Sequence, residues 1–232
     1  ELCDYYDGEC ERDVELAKDM GLKGQVVYPI LPNAGGFDLD EFNSTARQDP
    51  VSERKQVILK GYQHFAGRAL VALQAFASCR DLLKDYTIAI YSTDSEDHIA
   101  AEILQQDTDL DIKILPHLSH NEILKEFGRS RVYIGLSISD AISTSMLEAM
   151  TMGALPIQSN TACFNEWVKD GETALIVPPE DVDAVANALR RALTDNDLVD
   201  RAAQINLETA QARLNRRDVK EKAIEIYHRI EG

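Results

Sequence analysis

The chain has 232 residues, 44% of them hydrophobic, which is enough for one large domain or two small ones with a buried core. Its 24 Lys and Arg stand against 40 Asp and Glu, and the net charge of −16 excludes a broad basic surface for nucleic acid or an anionic membrane. No apolar run approaches the ~20 residues of a membrane span, and we expect no signal peptide. Any phosphate site must therefore be small and local.

In chain order, the first predicted element is a polar amphipathic helix over residues 9–20 that has no strand of its own. Two prolines and a Gly-Gly pair follow in residues 26–42, a composition typical of connectors. We interpret this part as the end of a unit that precedes the main domain, in a chain that is a piece of a longer protein.

From about residue 55, short β-branched runs alternate with longer segments of helical period, which predicts βαβ units and a parallel sheet. The six predicted strands cover residues 56–62, 86–92, 111–116, 132–137, 154–159 and 174–178. The predicted helices between them cover residues 68–83, 97–106, 120–130, 144–152 and 164–170. The expected fold is therefore a three-layer, Rossmann-like α/β domain with about six parallel strands.

The C-terminal part of the sequence is strongly helical after the Pro178-Pro179 pair. Helices are predicted over residues 180–194 and 197–230, the first with an apolar stripe. The last helix also has an apolar face, which needs a surface to cover it.

The four cysteines are scattered, without C-x-x-C spacing or a nearby histidine to share a metal. We expect free thiols in a reducing compartment and no metal site. The five histidines are equally dispersed, so no Ser-His-Asp or Cys-His set can be identified. The cysteines are Cys3, Cys10, Cys79 and Cys163.

The stretch 137–150, SISDAISTSMLEAM, crowds five hydroxyls and two acids around the turn after the fourth predicted strand. Ligands of open α/β sheets bind at the carboxyl ends of the strands, and a helix that starts here would offer free N–H groups to a phosphate. Glu148 could accept hydrogen bonds from a diol such as ribose, and Asp140 would point across the cleft. The alternative is a capping box, Ser145-x-x-Glu148, in which Glu148 serves only its own helix. The hydroxyls expected at the phosphate are those of Ser143, Thr144 and Ser145.

A second strand end supplies cations. The segment 59–73, LKGYQHFAGRALVAL, runs from strand through a glycine-flanked loop to helix, with Lys60 and Arg68 on either side of the turn. Either side chain could neutralise a diphosphate leaving group as it develops charge. The alternative is that both are ordinary solvated residues at element ends.

Four segments in this order resemble the C-terminal half of the retaining group 1 (family 4) glycosyltransferases of GT-B fold. Together they span nearly the whole chain from about residue 29. They resemble, in turn, the family's entry linker, its G-R-x(5)-K-G loop, its E-x(7)-E region and its E-x-V-x-D-G segment. The segments are PILPNAGGFDLDEF (29–42), ILKGYQHFAGR (58–68), SDAISTSMLEAMTMGALPI (139–157) and NEWVKDGETALIVPPEDVDAVANAL (165–189).

The resemblance implies roles for the acids. Glu148 occupies the place of the acid that binds ribose hydroxyls, while Asp140, shorter by one methylene than the family's glutamate, would face the transferred sugar or the acceptor. Glu166 matches an acid that follows the EAMA-like segment, although a surface acid beside Trp167 is the alternative.

The phosphate loop departs from the family's pattern. The family's Arg falls on Tyr62 and its Lys near Gly67, so either Arg68 or Lys60 substitutes for them or diphosphate binding is weakened. The donor site would be lined by Gly61, Tyr62 and Gly67. The base and the sugar would be read around residues 115–118, which include His117, and around residues 160–162.

The resemblance further implies a UDP- or GDP-sugar donor, with a hexose transferred to a glycan or lipid-linked acceptor in polysaccharide or glycoconjugate biosynthesis. It implies no cofactor and no metal, and we expect neither a nucleic-acid partner nor a membrane span. An N-terminal domain, absent from this chain, would hold the acceptor, so the fragment alone would be inactive. The enzyme would be cytoplasmic, or peripheral at the inner face of the membrane. The predicted units are 1–28, the trailing helix and linker of that N-terminal domain; 29–194, the donor domain; and 195–232, helices that pack back toward the N-terminal domain.

Two other functions are compatible with the sequence. A GT-B-type sugar-nucleotide epimerase would use the same donor site, although the E-x(7)-E-like region favours a transferase. A catalytically inactive nucleotide-binding module would fit the departures at Asp140 and Tyr62.

Overall fold

The computed structural model of the protein describes residues 3–32, 35–45, 49–161 and 163–231. Part of the predicted linker 29–42 and residue 162 of the predicted base-reading segment lie outside these residues. The described chain begins with strand β1 (Tyr5–Tyr6), helix α1 (Glu11–Asp19) and strand β2 (Gln25–Val26), and the two strands pair in parallel. The prediction that the first helix has no strand of its own was wrong, because strands of two residues are too short to show alternation.

The segment predicted as a connector contains a helix, α2 (Leu39–Thr45). Its Phe42 is buried and stacks on Phe37, with ring centroids 4.9 Å apart. These rings join the hydrophobic core on one side of the main sheet, so the connector is packed against the domain it enters.

The main sheet has six parallel strands, as the sequence predicts. The strands are β3 (Gln56–Lys60), β4 (Thr87–Tyr91), β5 (Asp111–Ile114), β6 (Val132–Gly135), β7 (Leu155–Ser159) and β8 (Leu175–Val177). Their order in the sheet is β5-β4-β3-β6-β7-β8, and β3 pairs with both β4 and β6, in a register that sets Ile58 beside Ala89 and Tyr133. The order of the strands reverses at this point, and such a switch opens a crevice at the carboxyl ends of the two strands.

Helices cover both faces of this sheet and complete a three-layer, Rossmann-like α/β fold. The helices are α3 (Ala69–Ser78), α4 (Arg80–Leu83), α5 (Ser95–Thr108), α6 (His120–Arg129), α7 (Thr144–Thr151), α8 (Val182–Thr194), α9 (Asn196–Arg213) and α10 (Arg216–Glu231). On one face α3 packs between α5 and α8, and on the other α6 packs against α2 and α7.

Three predicted helices differ from those observed. The helix predicted over 68–83 is interrupted at Cys79, and the one predicted over 164–170 is only a 3₁₀ turn, Phe164–Glu166. The helix predicted over 197–230 breaks between α9 and α10, where the backbone N–H of Phe37 donates to the carbonyl of Leu214 and its carbonyl accepts from the N–H of Arg216. A contact with a residue so distant in sequence leaves no trace in local periodicity.

The last helix, α10, returns to the first part of the chain. Its Ile226 is buried, and its Arg229 guanidinium donates to the backbone carbonyl of Tyr28. Among the residues that the structure describes, no helix combines the length and the apolar character that a membrane crossing requires.

Candidate functional site

The helix α7 begins beside the crevice, where the sequence placed its phosphate site. Its N-cap is Ser143, whose Oγ accepts a hydrogen bond from the N–H of Met146 at 3.3 Å, and Thr144 and Ser145 form the first turn. The capping-box alternative for Ser145 and Glu148 is therefore wrong, because the cap lies two residues earlier. Glu148 is free to take a partner outside its own helix.

That partner is His120, the first residue of α6. Its Nε2 lies 2.7 Å from Oε1 of Glu148, whose side chain is 12% exposed. Burial raises the pKa of Glu148, and the hydrogen bond to His120 and the charges of His120 and Lys60 oppose that rise. The sequence pattern does not single out His120, because 28 residues separate it from Glu148. The one available signal was its place just after a strand, at the same edge of the sheet.

Lys60, the last residue of β3, brings a cation to the same edge. Its Nζ lies 4.4 Å from the centroid of the Tyr62 ring. Burial lowers the pKa of Lys60, while the negative charges of Asp140 and Glu148 raise it. The crevice thus sets one partly desolvated ammonium group in the field of two carboxylates.

Arg68, the second predicted cation, is engaged elsewhere. It occupies the N-cap position of α3 without a side-chain capping hydrogen bond, and its Nε donates to Oε1 of Glu180 at 2.8 Å. Its Nη1 donates to the backbone carbonyls of Gly67 and His64 at 2.7 and 3.3 Å. This pairing could not be predicted from the sequence pattern, because Glu180 lies 112 residues further on. In this structure the Arg68 guanidinium helps to fold the loop.

The two glycines of the loop are required by close packing. A Cβ at Gly67 would lie 2.2 Å from the backbone carbonyl oxygen of Tyr62, since the loop folds back on itself there. A Cβ at Gly61 would lie 2.7 Å from Oδ2 of Asp97. Tyr62 itself is 37% exposed at the mouth of the crevice, where the family's arginine was expected to lie.

Asp97 is a buried acid below this loop. Its Oδ1 accepts a hydrogen bond from the N–H of Asp94 at 2.8 Å, while Oδ2 is buried and has no hydrogen-bond partner in the described part of the chain. Burial raises the pKa of Asp97 to about 6, and its hydrogen bond with the Asp94 side chain acts in the same direction. The sequence pattern shows only a first-turn helix acid at this position.

A cavity of about 380 Å³ adjoins Glu148 and opens between the ends of β4 and β5. Its lining includes all of the predicted base-reading segment 115–118, but Asn160 and Thr161 do not contribute to it. The lining residues are Tyr91, Ser92, Thr93, Leu115, Pro116, His117, Leu118, Ile123, Phe127, Ser145 and Glu148. The structure thus brings His117 and Glu148 to one cavity, with the first turn of α7 in its wall.

The first helix of the chain contributes to the other side of the crevice. Arg12 donates from Nη2 to the backbone carbonyl of Asp140 at 3.1 Å. The N–H of Glu11 donates to Oε1 of Glu166 at 3.0 Å. Glu166 is therefore a docking point for α1, a role that neither sequence interpretation of this acid included.

The prediction of four free cysteines was wrong for two of them. Cys10 and Cys163 form a disulfide, with Cα atoms 6.4 Å apart, and Cys3 and Cys79 are free. A separation of 153 residues gives no spacing signal that could have predicted the bond. The two sulfurs and a Glu166 oxygen form a cluster compact enough for a metal ion, but the sulfurs are bonded to each other, which leaves the carboxylate as that cluster's free ligand.

Several solved structures share this fold. Sucrose-phosphate synthase from Thermosynechococcus elongatus superposes with a TM-score of 0.81 at 20% identity, over 99% of this chain and 59% of that one. The pneumococcal O-GlcNAc transferase GtfA, in complex with UDP and GlcNAc, gives 0.78 at 17% identity, over 99% of this chain and 46% of that one. The chain thus spans about half the length of these two proteins.

A shorter relative matches as a unit. The C-terminal domain of a glycosyl transferase group 1 family protein, LpcC, from Francisella tularensis, superposes with a TM-score of 0.65 at 16% identity, over 77% of this chain and 98% of that one. No curated protein sequence matches the chain. The model of the family described as "Glycosyl transferases group 1" matches residues 49–208, more than half of the sequence.

Proposed function

This chain belongs to the group 1 glycosyltransferase family, and we propose that it forms the donor-binding part of a retaining hexosyltransferase that uses a nucleotide sugar. The observation that carries the proposal is the position of Glu148. Its buried carboxylate lies on the wall of a 380 Å³ cavity, one turn into a helix that begins at the crevice. A hydroxyl-binding acid and a phosphate-binding helix end, one turn apart, suit a nucleoside diphosphate.

In the proposed complex, the ribose hydroxyls donate to Glu148 and the base enters the cavity beside His117. The diphosphate meets the first turn of α7, with the hydroxyls and backbone N–H groups of residues 143–145, and the ammonium group of Lys60. These groups would stabilise the charge that develops on the leaving diphosphate, so the reaction needs no metal in this proposal. UDP is the first nucleotide to test, because GtfA is described in complex with UDP and GlcNAc.

The reaction breaks the bond between the anomeric carbon and the diphosphate oxygen, and forms a bond from that carbon to an acceptor hydroxyl, which loses its proton. Asp140, in the loop that precedes α7, would face the transferred sugar or the acceptor. No carboxylate is assigned as a nucleophile, so the proposal does not include a covalent glycosyl-enzyme intermediate. Arg68 could join the diphosphate only by leaving Glu180.

The acceptor would be a glycan or a lipid-linked saccharide, held in part by residues outside this chain. The proposal places the reaction in the cytoplasm, within polysaccharide or glycoconjugate biosynthesis. In this proposal, residues of this chain and residues outside it form the acceptor site together. The position of α1 supports this, because α1 borders the crevice through Arg12 and Glu11.

A nucleotide-binding module without turnover is the second candidate. Two observations favour it: Tyr62 stands where the family has an arginine, and Arg68 is paired with Glu180. Such a module would bind the same nucleotide with the same dependence on Glu148, but it would not release a sugar.

The test is calorimetric titration of the natural full-length protein with UDP, GDP and ADP, repeated on Glu148→Ala. Glu102→Ala is the matched control, because Glu102 also pairs with a histidine, His98, but on exposed helix surface. Saturable binding of one nucleotide that Glu148→Ala weakens at least tenfold and Glu102→Ala leaves unchanged supports the proposal. The proposal is overturned if the natural protein binds none of the three nucleotides. Assay of sugar release from the matching nucleotide sugar then separates transferase from binding module.

A further inference from the structure

The geometry around Glu148 points to His120 as a positioning residue for the donor: we propose that it holds one carboxylate oxygen of Glu148 so that the other can receive the ribose hydroxyls. The inference rests on the proposed function and adds a residue to it. It concerns a contact across the crevice wall between the first residue of α6 and the second turn of α7.

The hydrogen bond occupies one side of the carboxylate. Nε2 of His120 lies 2.7 Å from Oε1 of Glu148, and the described residues offer no hydrogen bond to Oε2. A carboxylate on a glutamate side chain has several rotamers and can rotate about its last bond. One strong, charge-assisted hydrogen bond removes much of this freedom before any ligand arrives, which lowers the entropy cost of binding.

Two neighbouring features hold His120 in place. Just before it, the N–H and hydroxyl of Ser119 donate to Oε2 of Glu122 at 2.8 and 2.6 Å, which fixes the start of α6. The imidazole ring also lies near the buried Phe42 ring, with ring centroids 6.4 Å apart. The side chain is 53% exposed, so its burial contributes little to the core.

The contact also favours the ionised form of Glu148. Burial favours the neutral acid, and a protonated carboxyl group would lose one of the acceptor sites that a diol requires. The hydrogen bond from His120 lowers the pKa of Glu148 against this effect. Other titratable groups also face Glu148 from the neighbouring elements, and the His120 contribution must be separated from theirs by mutation. They are Lys60, Tyr91, His117 and Tyr133.

The experiment compares nucleotides with and without the ribose diol on the natural full-length protein. UDP, GDP and ADP, and their 2′,3′-dideoxy forms, are titrated into the wild type, His120→Ala and His120→Gln. The control is His98→Ala, since His98 pairs with Glu102 at 3.3 Å on exposed surface of α5. We expect His120→Ala to raise the Kd of the nucleotide that binds about tenfold and to leave the Kd of its dideoxy form unchanged. Glutamine, which can donate from a similar position, should restore most of the affinity.

Two further readouts separate positioning from a purely structural role. In a Glu148→Ala background, His120→Ala should cause no additional loss of affinity. In His120→Ala alone, the acid limb of the binding profile should move to higher pH, because the pKa of Glu148 rises when its partner is removed. Equal weakening of the natural and dideoxy nucleotides would overturn the inference, and so would an acid limb that does not move.

The outcomes also distinguish this inference from the proposed function. If the wild type binds none of the nucleotides, the proposed function fails and the inference fails with it. If the wild type binds one, Glu148→Ala abolishes binding and His120→Ala matches the His98→Ala control, then this inference alone is overturned.

Discussion

Cys10 and Cys163 are joined by a disulfide that links the start of α1 to the loop after β7, across 153 residues of sequence. Both side chains are buried, with exposures of 0% and 1%. The N–H of Cys163 also donates to the carbonyl of Ala141, one residue beyond Asp140. The bond therefore connects the first helix to the backbone that shapes the crevice.

Loss of this disulfide should lower the stability of the fold. A crosslink that closes so long a loop restricts the unfolded chain, and its removal costs about 2–5 kcal/mol in comparable proteins. We expect Cys10→Ser and Cys163→Ser each to reduce the free energy of unfolding by an amount in this range, measured by urea denaturation. Cys3→Ser, which changes an exposed free thiol, is the control. Equal stability of Cys163→Ser and Cys3→Ser would contradict the prediction.

Lys60→Met should weaken binding of a nucleoside diphosphate without weakening binding of the nucleoside. The ammonium group of Lys60 is proposed to face the diphosphate, so its removal should cost about 1.4 kcal/mol, or tenfold in Kd, for UDP but not for uridine. The control is Lys55→Met: Lys55 precedes the other end of β3 and lies 4.7 Å from the Tyr86 ring centroid. Titration calorimetry measures the Kd of UDP and of uridine for each variant. Equal losses of affinity for UDP and uridine in Lys60→Met would rule out a phosphate contact.

Asp97 should make the fold less stable as the pH rises through the range from about 4 to about 6. The pKa of Asp97 is about 6 in the folded protein against 3.8 for an unperturbed aspartate, so in this range the folded state holds more protons than the unfolded state. Its stabilising contribution is complete below the unfolded pKa and is lost above the folded one. We expect Asp97→Asn to remove this dependence, so that the free energy of unfolding of the variant relative to the wild type rises by about 2 kcal/mol between pH 4 and pH 7. Asp107→Asn, an exposed change on the same helix, is the control in urea titrations at each pH.

Glu180→Gln should leave stability nearly unchanged and tighten nucleotide binding. The Arg68–Glu180 pair is 2.8 Å long, but the glutamate side chain is 68% exposed, and such pairs contribute about 0–1 kcal/mol. Release of the guanidinium would supply a second cation to the diphosphate, worth about a threefold fall in Kd for UDP. Glu172→Gln, which breaks the exposed pair with Lys169, is the control. If Glu180→Gln and Arg68→Ala both bind UDP as the wild type does, Arg68 has no part in the donor site.

Local pattern was sufficient for the central sheet. The six strands are short, mostly buried runs with β-branched residues between helical segments, and each was predicted from that alternation. The expected crevice residues also follow from it, because Lys60 ends β3 and Glu148 lies in the helix after β6. The start of α7 was placed correctly, and only the alternative with Ser145 as the cap was wrong, since several hydroxyls in a row could each have served.

The missed features are contacts between residues far apart in sequence. His120 meets Glu148 across 28 residues, Arg68 meets Glu180 across 112, and the N–H of Glu11 meets Glu166 across 155. Each depends on how helices pack around the sheet, and side-chain spacing in one segment carries no information about it. The same reason explains why the break between α9 and α10, set by Phe37, was predicted as continuous helix.

The contacts of α1 have a practical consequence for anyone who shortens this protein. A cut after residue 28 would remove the segment that the sequence assigns to a preceding unit. It would also leave Cys163 without its disulfide, the Asp140 carbonyl without the hydrogen bond from Arg12, and Glu166 without the one from the N–H of Glu11. The truncated protein would keep every strand of the central sheet but lose the contacts that α1 makes beside the crevice. Binding data from such a fragment would therefore describe a crevice that lacks one of its borders.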